Sequence, residues 1–189
     1  MQISEPAEYA LLGLLSKGPQ HGYELTRAFS PDEELGAICR LEQSQLYAFL
    51  KKLEHLGYLK GTVELQEGRP SRRVLALTPP GQAEFRNWVE SPVLKPREVR
   101  LQFLLKLYFA REFGEETIAR LITKQIAACE QFIRKVREAS GGHTISLDGP
   151  GQDFRAVIQQ ARIRQIEATI AWLREIRDQA GAIALSAHP

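Results

Sequence analysis

The chain has little with which to do covalent chemistry. It holds two cysteines, Cys39 and Cys129, far apart and without companions at metal-ligand spacing. That excludes a zinc finger and a disulfide scaffold. Of its four histidines (His21, His55, His143 and His188), no two have metal spacing. No serine sits in a nucleophile elbow, and no glycine-rich phosphate loop occurs. The sequence therefore predicts no catalytic residue, no metal site and no cofactor. Long apolar runs are missing too, because charges or breakers interrupt every hydrophobic segment. Without such a run or a signal peptide, and with reduced cysteines, the expectation is a cytoplasmic protein with no membrane partner. The formal charge is only +2. Any nucleic-acid binding must rest on local rather than global charge.

What is present is ordinary globular material: 43% hydrophobic and 25% charged residues in 189. That suffices for one domain or two small ones. Its charge is uneven. Residues 1–90 carry ten Lys or Arg against twelve Asp or Glu, yet residues 40–73 carry seven basic against four acidic. Two readings fit this clustering: chance clumping on a solvated surface, or a surface that meets phosphates.

The stretch Arg40–Gly81 organises the rest. Leu46, Phe49, Leu50, Leu53 and Leu56 recur at spacings of three and four and line one helix face. Gly57 is a helix stop. Residues 58–66 and 72–78 each read as a strand, separated by Glu67–Ser71, a breaker-rich turn with Arg69 at its tip. Helix, stop and basic-tipped hairpin make the layout of a winged helix-turn-helix, in which the helix enters a major groove and the hairpin follows the backbone.

Around this core the pattern predicts helices over 5–16, with Ser4 as N-cap, and over 21–29. Residues 32–41 read as a loop with a short paired segment near Ile38 and Cys39. Thr78 caps a helix from Pro79 or Pro80 to Val89. The segment 98–111 is apolar almost all round, which calls for burial from several sides. Two further helices follow, 115–138 and 152–179, either side of a Gly- and Ser-rich loop at 140–151. In the second, Ile163, Ile166, Ile170 and Leu173 keep a seam-like spacing. The expected fold is mainly α with a small β-hairpin wing. A winged-helix domain would span 1–92, a helical domain 93–180, and a tail 181–189.

The blocks YALLGLLSKGPQHGYELTRAF, SQLYAFLKKLEHLGYLKG and EGRPSRRVLALTPPGQAEFRNWV, in that order over about the first 90 residues, resemble the PadR family of bacterial winged-helix transcriptional regulators. The resemblance implies a DNA-binding regulator, expected to be a homodimeric repressor on an inverted-repeat operator, with the C-terminal helices as dimerisation domain. It also implies a hydrophobic or aromatic small-molecule effector near the junction of the two halves. There are two departures. Leu75 stands where the last wing strand usually has an aromatic, and Glu42 stands where a Ser or Thr usually caps the recognition helix, which moves the expected start to Ser44.

The residues expected to meet DNA are Tyr23, Ser44, Gln45, Tyr47, Lys51, Arg69 and Arg73. Gln45 can pair with adenine and Ser44 with several bases. Tyr47, Lys51 and Lys52 suit phosphates. The plainer reading of the helix residues is the wet face of an amphipathic helix, and that of Tyr23 a core aromatic. Adjacent strand residues face opposite ways, so only one of Arg72 and Arg73 shares a face with the tip. Trp88, Phe103, Leu107 and Tyr108 are the expected effector-lining residues, against the plainer reading that they are core. The alternative function is a winged-helix module for protein–protein interaction without specific DNA binding.

Overall fold

The structure, a computed structural model, describes residues 2–66, 69–139 and 154–186, with backbone alone for 65, 66, 69–71 and 180–186. The expected loop at 140–151, His143 and His188 lie outside the described residues.

The chain forms two compact units, one of residues 1–91 with 100–112 and one of 92–99 with 113–189. The segment 100–112 thus returns to the first unit, although it follows residue 92 in sequence. The first unit begins with helix α1, Pro6–Ser16. Its cap is Glu5, not Ser4: Glu5 and Glu8 form a capping box, and the Ser4 and Glu5 amides donate to Glu8 Oε2 at 2.8 and 2.9 Å. Leu11, Leu12 and Leu15 are buried, as a helix apolar on most sides requires.

Strand β1, Gln20–His21, runs directly into helix α2, Gly22–Ala28. Residues 34–38 form a short helix, α3, so the expected paired segment at Ile38 and Cys39 is absent. An acidic first turn, with Glu34, suits a helix start there. The recognition helix α4 spans Gln43–His55, one residue earlier than Ser44. Glu42 is its cap after all, because its carboxylate accepts from the backbone of the third helical residue while Gln45 Oε1 accepts from the Glu42 amide at 3.4 Å.

Strands β2, Leu59–Gln66, and β3, Arg69–Leu77, form the antiparallel hairpin. β1 joins β3 on its other side, Gln20 opposite Leu75 and His21 opposite Val74, giving a three-stranded sheet in the order β1-β3-β2. Gly57, with φ of 74°, makes the turn from α4 into β2 that a residue with a Cβ makes only with strain. Helix α5, Pro79–Glu90, starts at Thr78, whose hydroxyl accepts from the Gly81 amide at 3.2 Å. Helix α6, Val99–Ala110, follows a 3-10 turn at Pro96–Glu98. Its Phe109 is fully buried against α1, where a Cβ on Gly13 would lie 2.5 Å from the ring. Leu25, Leu46, Leu53 and Phe85 complete this core.

The second unit is built on helices α7, Glu115–Ala139, and α8, Phe154–Ser186. α8 continues through the residues expected to begin the tail. Leu121, Ile122, Ile126, Cys129 and Ile133 of α7 are buried, as are Ile166, Ile170 and Leu173 of α8. Glu130 pairs with Arg174 at 2.9 Å and Arg137 with Glu167 at 3.0 Å, so the helices run antiparallel. Buried Gln125 accepts from the Val93 amide at 2.7 Å and donates to its carbonyl at 3.0 Å, which fastens the 92–99 segment to α7. Among the described residues no helix is long and apolar enough to cross a membrane.

Candidate nucleic-acid interface

A groove of about 1030 Å3 opens on the first unit between α2, the outer side of α4 and the root of β3. Its walls include Tyr23, Arg27, Tyr47, Lys51, Arg72 and Arg73. Local chemistry explains why these side chains meet. His21 caps α2, its amide donating to Glu24 Oε2 at 2.7 Å, and its Nδ1 lies 3.3 Å from the Arg73 carbonyl. The start of α2 is thereby held to the wing strand, and Tyr23 projects beside it. Gly22 allows Tyr47 to lie close, since a Cβ there would sit 3.0 Å from the Tyr47 hydroxyl.

Tyr23 is 79% exposed and Tyr47 49% exposed. Rings left that bare are not core bridges, which removes the plainer reading of Tyr23. Ser44, Gln45 and Lys51 are exposed on the same helix whose Leu46, Leu50 and Leu53 are buried. Gln45 has a second duty in the α4 cap, so reading a base with its carbonyl oxygen would compete with that contact. The Arg73 guanidinium is 2.6 Å from Glu54 Oε1. The Arg69 side chain lies outside the described residues.

Lys52 does not join this surface. Its ammonium turns inward to Glu8, 2.7 Å from Oε1 and 3.0 Å from Oε2, and 3.1 Å from the Ser4 hydroxyl. Glu8 is fully buried. Burial raises its pKa, but the Lys52 hydrogen bond, the Ser4 and Glu5 amides and the Lys52 charge outweigh that and hold it below the usual carboxylate value. The expectation that Lys52 contacts phosphate gives way to a structural role: it ties α4 to the start of α1.

Residues 11–87 match the transcriptional regulator PadR-like family, and residues 99–180 match the family described as virulence activator alpha C-term. The chain thus carries a PadR-like domain over residues 11–87. It is accordingly a DNA-binding transcriptional regulator and not an enzyme. It is 27% identical over 174 residues to the negative transcriptional regulator PadR of Bacillus subtilis, covering 89% of this chain and 94% of that protein. It is also 27% identical over 185 residues to a probable transcriptional regulator of Mycobacterium tuberculosis, with coverages of 90% and 95%. Among solved structures, Bacillus subtilis PadR in complex with operator DNA aligns at a TM-score of 0.47 with 26% identity, over 94% of this chain and 99% of that one.

In this PadR-like chain the expected effector residues are packed. Phe103 is fully buried, and Trp88 stacks flat on Tyr9 with ring centroids 4.6 Å apart. Leu107 is half-buried. Tyr108 lies under two cations, 4.6 Å from the Arg111 guanidinium and 5.8 Å from the Lys17 ammonium. Sequence reasoning passed over two residues. Arg27 shares a groove wall with Tyr23, and the signal was there: the two are four apart on α2 and so on one face. Lys106 is the other, a lysine only 2% exposed. Its ammonium donates to the Trp88 carbonyl and to Ser91 O and Oγ at 2.9 and 3.0 Å, closing the C-terminal end of α5. Burial pushes its pKa down to about 7.

Proposed function

We propose that this PadR-like regulator works as a homodimeric repressor on an inverted-repeat operator. The groove supports this most directly: exposed Tyr23, Tyr47 and Lys51 surround it, with Ser44 and Gln45 on the first turns of the same helix. Tyr23, Tyr47 and Lys51 meet phosphates, Ser44 and Gln45 address base edges, and Arg69 follows the backbone from the wing. Residues 1–92 are the DNA-binding domain and 93–180 the dimerisation domain. α8 supplies a reason for pairing, because Phe154 is 65% exposed and Ile158 39% exposed on a helix whose other side is buried on α7. Two copies would set their recognition helices about 34 Å apart, one turn of duplex. The repressor sense follows the name of the Bacillus subtilis relative, a negative transcriptional regulator. A small hydrophobic or aromatic effector would relieve repression by favouring a dimer whose two helices no longer match that spacing.

Gel shifts on the operator test the assignment. Arg69→Ala should weaken binding to all sequences and flatten the salt slope by about one, while Gln45→Ala should relax discrimination at a single base pair. Wild-type affinity in both variants would overturn it. Absence of salt-dependent binding to random duplex would instead favour a protein–protein interaction module.

A further inference from the structure

The groove that faces DNA in this reading contains a carboxylate that ought to repel it. Glu54 is on the groove side of α4, its side chain only 18% exposed, so it has little freedom to swing away. A buried-side acid beside a phosphate-binding surface is costly unless something neutralises it. Arg73 does so, with Nη2 2.6 Å from Glu54 Oε1. The pair joins the recognition helix to the wing strand.

A second, independent observation shows that the backbone is adapted to this contact. On the neighbouring strand β2 stands Gly61, opposite Leu75. A Cβ at Gly61 would lie 2.6 Å from Arg73 Nε and 2.8 Å from Glu54 Oε1. A side chain there would crowd both members of the pair and force them to shift. Gly61 has no turn to make and no positive φ, so the space above it is what its lack of a side chain provides.

We infer that Arg73 is a positioning residue for DNA binding rather than a phosphate ligand: with Glu54 it clasps the recognition helix to the wing across Gly61, and it cancels a negative charge inside the groove. Phosphate contact on this side of the groove then falls to Lys51, Arg27 and Arg72. Arg27 has only a loose 3.8 Å contact with Glu33 and its side chain is 74% exposed. It is the more available cation of the two arginines, Arg27 and Arg73. The clasp rests on the DNA-binding reading of the groove, and the charge bookkeeping makes it separable from that reading.

Salt-dependent anisotropy titrations of the full chain with operator-length duplex distinguish the roles. Arg73→Gln should weaken binding about tenfold, because it exposes an unpaired carboxylate to the phosphates. Glu54→Gln combined with Arg73→Gln should recover binding to within about threefold of the parent, with the parent's salt slope, because no phosphate contact has been lost. If Arg73 is a phosphate ligand, the double variant stays as weak as the single one and both slopes fall by about one. That outcome, or an Arg73→Gln variant that binds like the parent, would overturn the inference. Gly61→Ala supplies a variant with all charges kept: it should weaken binding at an unchanged thermal midpoint, and parental affinity there would also contradict the clasp. Arg27→Ala should flatten the slope by about one while the clasp is intact. A parent protein that shows no salt-dependent duplex binding defeats the groove reading itself, which is a different result from any of these.

Discussion

The two sides of the recognition helix carry the same kind of contact with opposite consequences. On the inner side, Lys52 reaches Glu8 at 2.7 Å, and Glu8 is sealed from water. On the groove side, Arg73 reaches Glu54 at 2.6 Å, but the arginine is 61% exposed. The distances are nearly equal, so geometry does not separate the two pairs. Water does. An exposed pair is screened and contributes little to stability, whereas a buried partner left alone keeps an uncompensated desolvation cost. The inner pair therefore belongs to the fold, fixing where α4 sits on α1. The outer pair belongs to the surface, setting what charge the groove presents.

The largest expected effect lies on the inner side. Glu8→Ala removes the capping-box carboxylate of α1 and strands Lys52, and should cost about 3 kcal/mol of unfolding free energy by chemical denaturation. Glu54→Gln should change the same free energy by under about 0.5 kcal/mol, because the arginine it leaves is 61% exposed and is hydrated by water instead. Comparable losses would erase the distinction. Acid sharpens it further. The Glu8 pKa is held below its ordinary value, so its stabilisation is fully present above the unfolded carboxylate pKa and is lost as pH falls through the lower folded value. The acid limb of a stability–pH profile should flatten in Glu8→Gln.

Lys106 gives the next effect and marks what a buried cation does without a carboxylate. Its folded pKa is about 7, against about 10.4 for an unperturbed lysine. Between those values the unfolded chain binds more protons, so stability from this group rises as pH rises from about 7 towards 10. Lys106→Met should remove that alkaline gain, read from denaturation midpoints at pH 7 and 9. A profile identical to the parent's would place the ammonium in water.

Smaller still is the cap of α5. Thr78→Ala deprives the Gly81 amide of its acceptor and should cost about 1 kcal/mol. DNA affinity should be unchanged once the variant is folded.

Much of this arrangement was legible in the residues. The three-and-four spacing of Leu46, Leu50 and Leu53 gave the buried face of α4, and the same spacing put Ser44, Gln45, Tyr47 and Lys51 outside. Thr78 before two prolines announced α5. The missed features depend on distant partners or weak local signals. Glu42 is an uncommon cap, and only the reach of Gln45 back to its amide makes the box. β1 is two polar residues without periodicity, and it is a strand only because β3 has a free edge. Lys51 and Lys52 are adjacent and chemically identical. What turns Lys52 inward is Glu8, 44 positions away, together with a flexible stem long enough to reach it. Glu8 itself carried a local sign, three residues after Glu5 at the start of an apolar run.

That adjacent pair of lysines offers the most direct test of the division between the two sides of α4. Duplex affinity should be titrated across a salt series for the parent, Lys51→Ala and Lys52→Ala, with a denaturation midpoint for each. Lys51→Ala should flatten the log–log salt slope by about 0.9 with its midpoint unchanged. Lys52→Ala should lower the midpoint and leave the slope as it is. Equal slopes for Lys51→Ala and the parent, or a flattened slope for Lys52→Ala, would contradict the placement of the DNA surface on the outer side of the recognition helix.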